Sequence, residues 1–428
     1  MKKRDIPFIK MTAKEKDRLR GLAKQYLELA NDPEMELLRK RHRELNLKKS
    51  GTRPVIRIET AGFGNELIPV TEHQCVDQFA KQIENRLLYF IYHHKIVGDD
   101  QLMPKTFQME WKVNIDYFGF PVTKTTGTAA NGSTVGFRVN HAVNCIAEDF
   151  HKLKPLSASV DREYTEKYRT AVEDSIGDIL PVEMTGWPAL ATFLTRQLLD
   201  LMSMENYYLA MVDTPDDVHR MMKYLLQNCK NLMRFYEAEN IMYVNNGEVD
   251  LKNSTYPFTD RLPAPGYTGK PRLKDMFMRT DSQETVGIAP EMFNEFCLPY
   301  YMELCALGGL WYYGCCEPVH PVWENSLSKI PNIKKLSISK WCDEEIMGHH
   351  LRNSGIVYSR KIDSTFIGLT GEIDAKGLAE YIGRSLKYAK DCQIEFIARE
   401  IVSIYGNPGK LKKATNIMRK EIAAALGG

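Results

Sequence analysis

The first stretch of the chain repeats apolar residues at helical spacing. Leu19, Leu22, Tyr26, Leu27 and Leu29 fall three or four positions apart or side by side on one stripe, which predicts an amphipathic helix from about residue 12. Asn31-Asp32-Pro33 interrupts the pattern and supplies the start of a second helix running to about residue 47. A polar linker at 48–52 follows, so 1–52 reads as an N-terminal helical extension and 53–428 as the main domain.

From residue 53 the rhythm changes. Short runs rich in Val, Ile and Tyr predict eight strands, at 53–60, 107–115, 178–183, 241–246, 310–316, 334–339, 356–360 and 394–401. Amphipathic stretches at 76–93, 190–211, 215–237, 290–306, 343–352, 375–389 and 408–426 predict the helices. Thr214 before Pro215, Asp343 and Asp374 stand at N-cap positions. Repeated strand-then-helix order implies parallel strands joined by crossover helices, and eight units imply a closed (β/α)8 TIM barrel. Two stretches break the rhythm. Residues 115–160 carry Gly119, Gly127, Gly132 and Gly136; residues 247–289 carry Pro257, Pro263, Pro265 and Pro271. Irregular loops of that length usually serve as lids or binding loops.

Composition narrows the class. Of 428 residues, 43% are hydrophobic and 26% charged, which excludes a disordered or fibrous chain. No apolar run approaches the roughly 20 residues of a membrane span, and no apolar signal core follows Met1-Lys2-Lys3-Arg4-Asp5. Nine cysteines, an odd number without CxxC, point to a reduced, cytoplasmic protein whose thiols are mostly buried. Net charge is +2, with 15 basic and 8 acidic residues in 1–50. The acidic residues are interleaved, so this is a solvated basic helix, and neither nucleic acid nor membrane is expected as a partner.

In a barrel, chemistry gathers at the C-terminal strand ends. Glu59 ends the first strand, Glu183 the third with Trp187 behind it, and Asn245 the fourth with Glu248 close by. The fifth ends in Tyr313-Gly-Cys315-Cys316-Glu317-Pro-Val-His320. Trp341 follows the sixth, Arg360-Lys361 close the seventh, and Arg399-Glu400 lie in the eighth. Two thiols, a carboxylate and an imidazole within six residues suit a zinc ion with one open position, held by Cys316, Glu317 and His320. The competing reading packs the two thiols in the barrel and leaves His320 to cap the next helix. Glu183, Asn245, Glu248 and His320 are the candidate catalytic groups; Glu59, Trp187, Tyr313, Trp341 and Arg360 are candidates for substrate binding. GxGxxG, GxxxxGK[ST] and GxSxG are absent, which leaves nucleotide and serine-nucleophile chemistry without local support.

Two helix starts, Asp213-Thr-Pro-Asp-Asp-Val-His-Arg-Met-Met222 and Ile288-Ala-Pro-Glu-Met-Phe-Asn-Glu-Phe-Cys-Leu-Pro-Tyr300, resemble those of the uroporphyrinogen decarboxylase superfamily. The segment Tyr312-Tyr-Gly-Cys-Cys-Glu-Pro-Val-His320 stands where its methyltransferases carry a His-x-Cys metal motif. The resemblance spans roughly 53–428 and implies a (β/α)8 barrel. Its decarboxylases hold acidic porphyrins on an Arg-x-x-Gly-Arg segment near the N-terminus. That pattern is missing from Arg53-Pro-Val-Ile-Arg-Ile-Glu-Thr60, and Glu59 and Glu66 would repel a polycarboxylate. The family's histidine before the cysteine is Tyr313 or Gly314 here, and the late cysteine after the last strand is absent. The resemblance therefore implies a methyltransferase moving a methyl group from a small O- or N-methylated compound to a corrinoid protein, with zinc or a strand-end acid activating the leaving atom. Dimers are common in the superfamily, so a homodimer is the expected assembly. Two alternatives remain: a decarboxylase or lyase of a small carboxylic acid held by Arg360, Lys361 and Arg399, and a non-catalytic barrel binding a corrinoid or methylated ligand.

Overall fold

The computed structural model describes residues 11–47, 52–128, 134–188 and 193–427. Residues 1–10, most of the 48–52 linker, Gly132 and the first residues of the expected 190–211 helix lie outside them. Twelve strands are described: β1 Val55–Ile58, β2 Phe107–Met109, β3 Val113–Asp116, β4 Thr123–Thr128, β5 Thr134–Asn140, β6 Ser157–Val160, β7 Val182–Met184, β8 Phe277–Thr280, β9 Leu310–Tyr313, β10 Ile333–Ile338, β11 Val357–Ile362 and β12 Gln393–Ala398. The helices that matter below are α1 Ala13–Ala30, α2 Pro33–Leu47, α3 Gln78–Val97, α4 Arg162–Ile176, α5 Pro215–Ala238, α6 Glu344–Leu351, α7 Ala375–Tyr388 and α8 Gly409–Ala425. Among the described residues no helix is long and apolar enough to cross a membrane.

The centre is a six-stranded parallel sheet in the order β1-β12-β11-β10-β9-β8. β2 and β7 pair separately, also in parallel. The α/β class stands, but this sheet is not closed into the expected barrel. Two side-chain devices mark the gaps. After α3 the chain turns at Gly98, and the Asp99 and Asp100 carboxylates accept the outward N–H groups of Ile58 at 2.7 Å and Ile56 at 2.9 Å. The Asp100 N–H returns to the Ile56 carbonyl at 2.9 Å. The open edge of β1 is thereby satisfied without β2.

At the other gap, the expected fourth strand, 241–246, is no strand. Tyr243 N–H reaches Gly186 O at 2.8 Å, but the link to β8 runs through a side chain. Asn245 donates Nδ2 to Phe277 O at 2.7 Å and accepts Phe277 N–H on Oδ1 at 2.8 Å. A side-chain amide takes the place of a peptide group in the ladder. β8 itself falls in the stretch expected to be a loop.

The two irregular stretches resolve differently from lids. Residues 113–160 form antiparallel pairs, β3 with β6 and β4 with β5. Residues 251–256 thread into the interior: Leu251, Asn253, Thr255 and Tyr256 are buried. Thr255 Oγ1 bonds Glu395 at 2.8 Å and accepts from Lys335 Nζ at 2.7 Å, and Lys335 pairs with Glu395 at 3.1 Å. Lys252 and Ser254 adopt left-handed backbone with φ of 59° and 57°, a conformation kept where surrounding contacts dictate it.

The N-terminal helices are integral to the core. A capping box between Thr12 and Glu15 starts α1, whose Leu19, Leu22 and Tyr26 join the main hydrophobic cluster. α2 lies across the beginnings of the sheet strands. Its Leu45 clusters with Val55 and Val357, and Gln393 Nε2 donates to Leu45 O at 2.6 Å.

Candidate functional site

Polar groups converge where β8, β9, β11 and β12 end. β8 presents Arg279 and leads into Asp281-Ser282; β9 leads through Gly314, at φ 95°, into Cys315-Cys316-Glu317; β11 presents Lys361; Arg399-Glu400 follow β12. Glu317 turns its carboxylate back on the chain, accepting Ser282 N–H at 3.0 Å and Cys315 N–H at 2.9 Å. Cys315 and Cys316 hold their sulfurs 3.4 Å apart. Cys316 Sγ lies 2.6 Å from Glu400 Oε1, and Glu400 has φ 63°, a strained value for a residue with a side chain. Arg399 pairs with Glu59 and Asn253 and points Nη1 at Cys315 Sγ from 3.6 Å.

The electrostatics follow from this packing. Contact with Cys316, together with the positive charges of Arg279, Arg399 and Lys361, outweighs burial and brings the Cys315 thiol down to about 5. Cys316 is pushed up, first by Cys315, then by burial and by Glu400: its proton sits between two negative groups. Burial raises Asp281 above its ordinary value, the Glu317 charge adding to the rise and Arg279, paired with Asp281 at 3.2 Å, opposing it. Burial also pushes Glu317 up to about 7, the Cys315 charge adding to the rise and the Ser282 amide opposing it. Lys361 is buried, and burial and then the Arg399 charge bring it down to about 7. The result is a thiol with a lowered pKa beside two carboxyl groups whose ionisation burial opposes, framed by basic side chains.

The expected zinc ligands do not converge. Both Glu317 oxygens are taken by backbone amides, Cys316 faces Glu400, and His320 Nδ1 accepts the Asp343 N–H at 3.2 Å at the start of α6. No group of three or more metal-ligating side chains is found among the described residues. The cause is local: Pro318 and Val319 carry His320 onto the following helix rather than back over the thiols. These residues do not fit a zinc centre, and His320 stands at the helix entry rather than among the reacting groups.

Other expected residues separate. Glu59 reaches the site through Arg399, and Trp341 stands exposed at the end of β10. Tyr313 is buried, its hydroxyl 2.6 Å from Ser282 Oγ and its ring edge-on to Tyr301, so it packs and positions rather than binds. Arg360 turns away from the strand ends to Glu344 at 2.7 Å and to the Tyr381 ring between α6 and α7. Trp187 is buried. Asn245 is engaged in the β8 ladder through both atoms of its side-chain amide. Glu183 accepts from Thr106 at 2.8 Å, Gln108 at 3.2 Å and Tyr243 at 2.7 Å, and Glu248 pairs with Arg39 of α2 at 2.7 Å.

Glu183 and Glu248 line a separate cleft of about 740 Å³ beside α2, which caps the strand beginnings. These two carboxylates are already paired or hydrogen-bonded. Asp281, Asn253 and the thiolate character of Cys315 were beyond sequence reasoning: each depends on groups brought from distant strands.

No family model matches the chain, and no curated protein matches it. Among solved structures, a methyltransferase from Methanosarcina mazei is similar at 10% identity, over 89% of this chain and 98% of that chain, with a TM-score of 0.44.

Proposed function

We propose that the protein is a methyltransferase that takes a methyl group from a small O- or N-methylated compound, with its reacting centre at the ends of β8, β9, β11 and β12. The observation that carries this reading is the convergence of Asp281, Glu317 and Cys315 at the strand ends, where burial opposes ionisation of both carboxyl groups. Methyl transfer from oxygen or nitrogen needs a proton on the leaving atom, and Asp281, whose Oδ1 has no hydrogen-bond partner and whose ionisation burial opposes, is the group that can present one. The negative charge of Cys315 favours that protonated state; Arg399, Arg279 and Lys361 balance the charge. Zinc is not invoked, since its expected ligands do not fit. The acceptor in this reading is a corrinoid on a partner protein. Supporting it, the loops after β10, β11 and β12 present the exposed apolar side chains Trp341, Leu369, Val402 and Tyr405, a rim suited to a broad apolar partner surface. The helix starts resembling the uroporphyrinogen decarboxylase superfamily agree with it.

The test supplies methylated donors with cob(I)alamin and reads methylcobalamin by absorbance. Formation that falls in Asp281→Asn supports the proposal. No transfer from any O- or N-methylated donor, or full turnover by the protein alone, overturns it. A second reading, decarboxylation or lysis of a small acid, is favoured by the cations Lys361 and Arg399; carbon dioxide release without an acceptor would select it. Arg360, once grouped with them, is excluded by its pairing with Glu344.

A further inference from the structure

We propose that the small cavity bounded by Lys361, Arg399, Ser339, Ser364, Trp341 and Cys316 is a subsite for a carboxylate group of the substrate. This rests on the reading above, that the strand ends form the reacting centre. Lys361 is only 7% exposed, and its Nζ has no hydrogen-bond partner. A lysine amine, charged or neutral, is rarely left that way in an interior, because buried N–H donors without an acceptor are costly. A ligand that accepts from Nζ removes the deficit. Arg399 lines the same space, its charge largely balanced by Glu59, and leaves Lys361 as the cation without a partner carboxylate. Lys340 also lines it, tied to Asp363 at 3.1 Å and lying 4.8 Å from the Trp341 ring. Glu400 is the one carboxylate on the wall, and it is engaged by Cys316.

Size favours carboxylate over phosphate. The cavity holds about 40 Å³, where one water takes roughly 10–15 Å³ on that measure, so about three small atoms fit. A carboxylate has three heavy atoms and a phosphate five. A carboxylate placed here lies beside Cys316, next in sequence to Cys315, so the same anchor would set the rest of a substrate against the reacting groups.

Trp341 is 65% exposed at the rim, so its fluorescence reports occupancy. The full-length protein is titrated with acetate, with neutral acetamide and with inorganic phosphate at constant ionic strength. Saturable binding of acetate, absent for acetamide and weakened at least about tenfold in Lys361→Met, is the expected result. Equal binding of acetamide, tighter binding of phosphate than acetate, or unchanged acetate binding in Lys361→Met overturns the proposal. A second measurement uses the unaltered protein: cyanate carbamylation of Lys361, read by peptide mass spectrometry, should slow as acetate is added, and constant labelling overturns the proposal independently of variant folding. Neither measurement involves turnover, so failure of the subsite and failure of the methyl-transfer reading are separate results.

Discussion

Replacing Arg399 with glutamine should raise the pH at which Cys315 ionises. The thiol falls from an ordinary 9.0 to about 5, which corresponds to about 5 kcal/mol at roughly 1.36 kcal/mol per pH unit. Cys316 supplies the largest share and Arg279, Arg399 and Lys361 the rest, against burial. Arg399 Nη1 stands 3.6 Å from the sulfur, a bare attraction of about 5 kcal/mol at an effective dielectric near 20. Glu59 neutralises much of that charge, so the expected rise in Arg399→Gln is about one pH unit. Cys316→Ala should raise it further.

Alkylation of Cys315 by iodoacetamide, followed by peptide mass spectrometry from about pH 4 to about pH 10, measures this directly. The absolute rate is a poor guide. At neutral pH Cys315 gains about a hundredfold in thiolate over an ordinary thiol but loses roughly 40- to 100-fold in intrinsic nucleophilicity, so the two nearly cancel. The midpoint decides. The unaltered protein should show one near pH 5. A midpoint near the ordinary 9.0, or one that neither variant moves, would refute the electrostatic account of the site.

Three further outcomes follow from the fold. Asn245→Leu leaves the Phe277 N–H and C=O without their partner and should cost about 2–4 kcal/mol in urea unfolding, while the folded fraction keeps its activity; loss of activity without loss of stability would return Asn245 to the catalytic list. Lys335→Met strands Glu395 in the interior and should cost about 3–5 kcal/mol, most of it regained on adding Glu395→Leu; an additive double variant would contradict the pairing. Burial opposes ionisation of Asp99, but His93, Arg57 and the Ile58 N–H outweigh it and hold the carboxyl at about 2, below its ordinary 3.8. That stabilisation is complete above the unfolded value and is lost as pH falls through about 2, in all about 2 kcal/mol. Acid-unfolding curves of Asp99→Asn should lack this component.

The chain's own pattern determined the alternation of strands and helices, the parallel direction of the sheet and the places where helices begin. Those are local matters: apolar spacing, caps and prolines act over a few residues. Asp343 and Asp374 accept from helix N–H groups as expected, Thr214 stands at its helix start without a side-chain cap bond, and Thr12 and Asp77 are caps the pattern did not single out. The cluster at 315–320 was also legible as chemistry, since thiols, carboxylate and imidazole lay adjacent. Its geometry was not. Adjacency placed Cys316, Glu317 and His320 together, whereas the turn after Gly314 sent their donors three ways.

Sheet closure was likewise beyond the pattern. It depended on Asp99, Asp100 and Asn245, polar side chains that stand in for peptide groups, and nothing in hydrophobic periodicity distinguishes such a residue from a catalytic one. The 247–289 stretch read as a loop because its prolines and polar residues look exposed. In the fold, Thr255 and Asn253 instead meet Lys335, Glu395 and Arg399, residues eighty or more positions away. The ionisation of Cys315 arose in the same way. A thiol's charge is set by neighbours at a few ångströms, and three of the groups that set it, Arg279, Lys361 and Arg399, come from three different strand ends. Coulomb interactions act through space, and only the tertiary structure decides which distant charges become close ones.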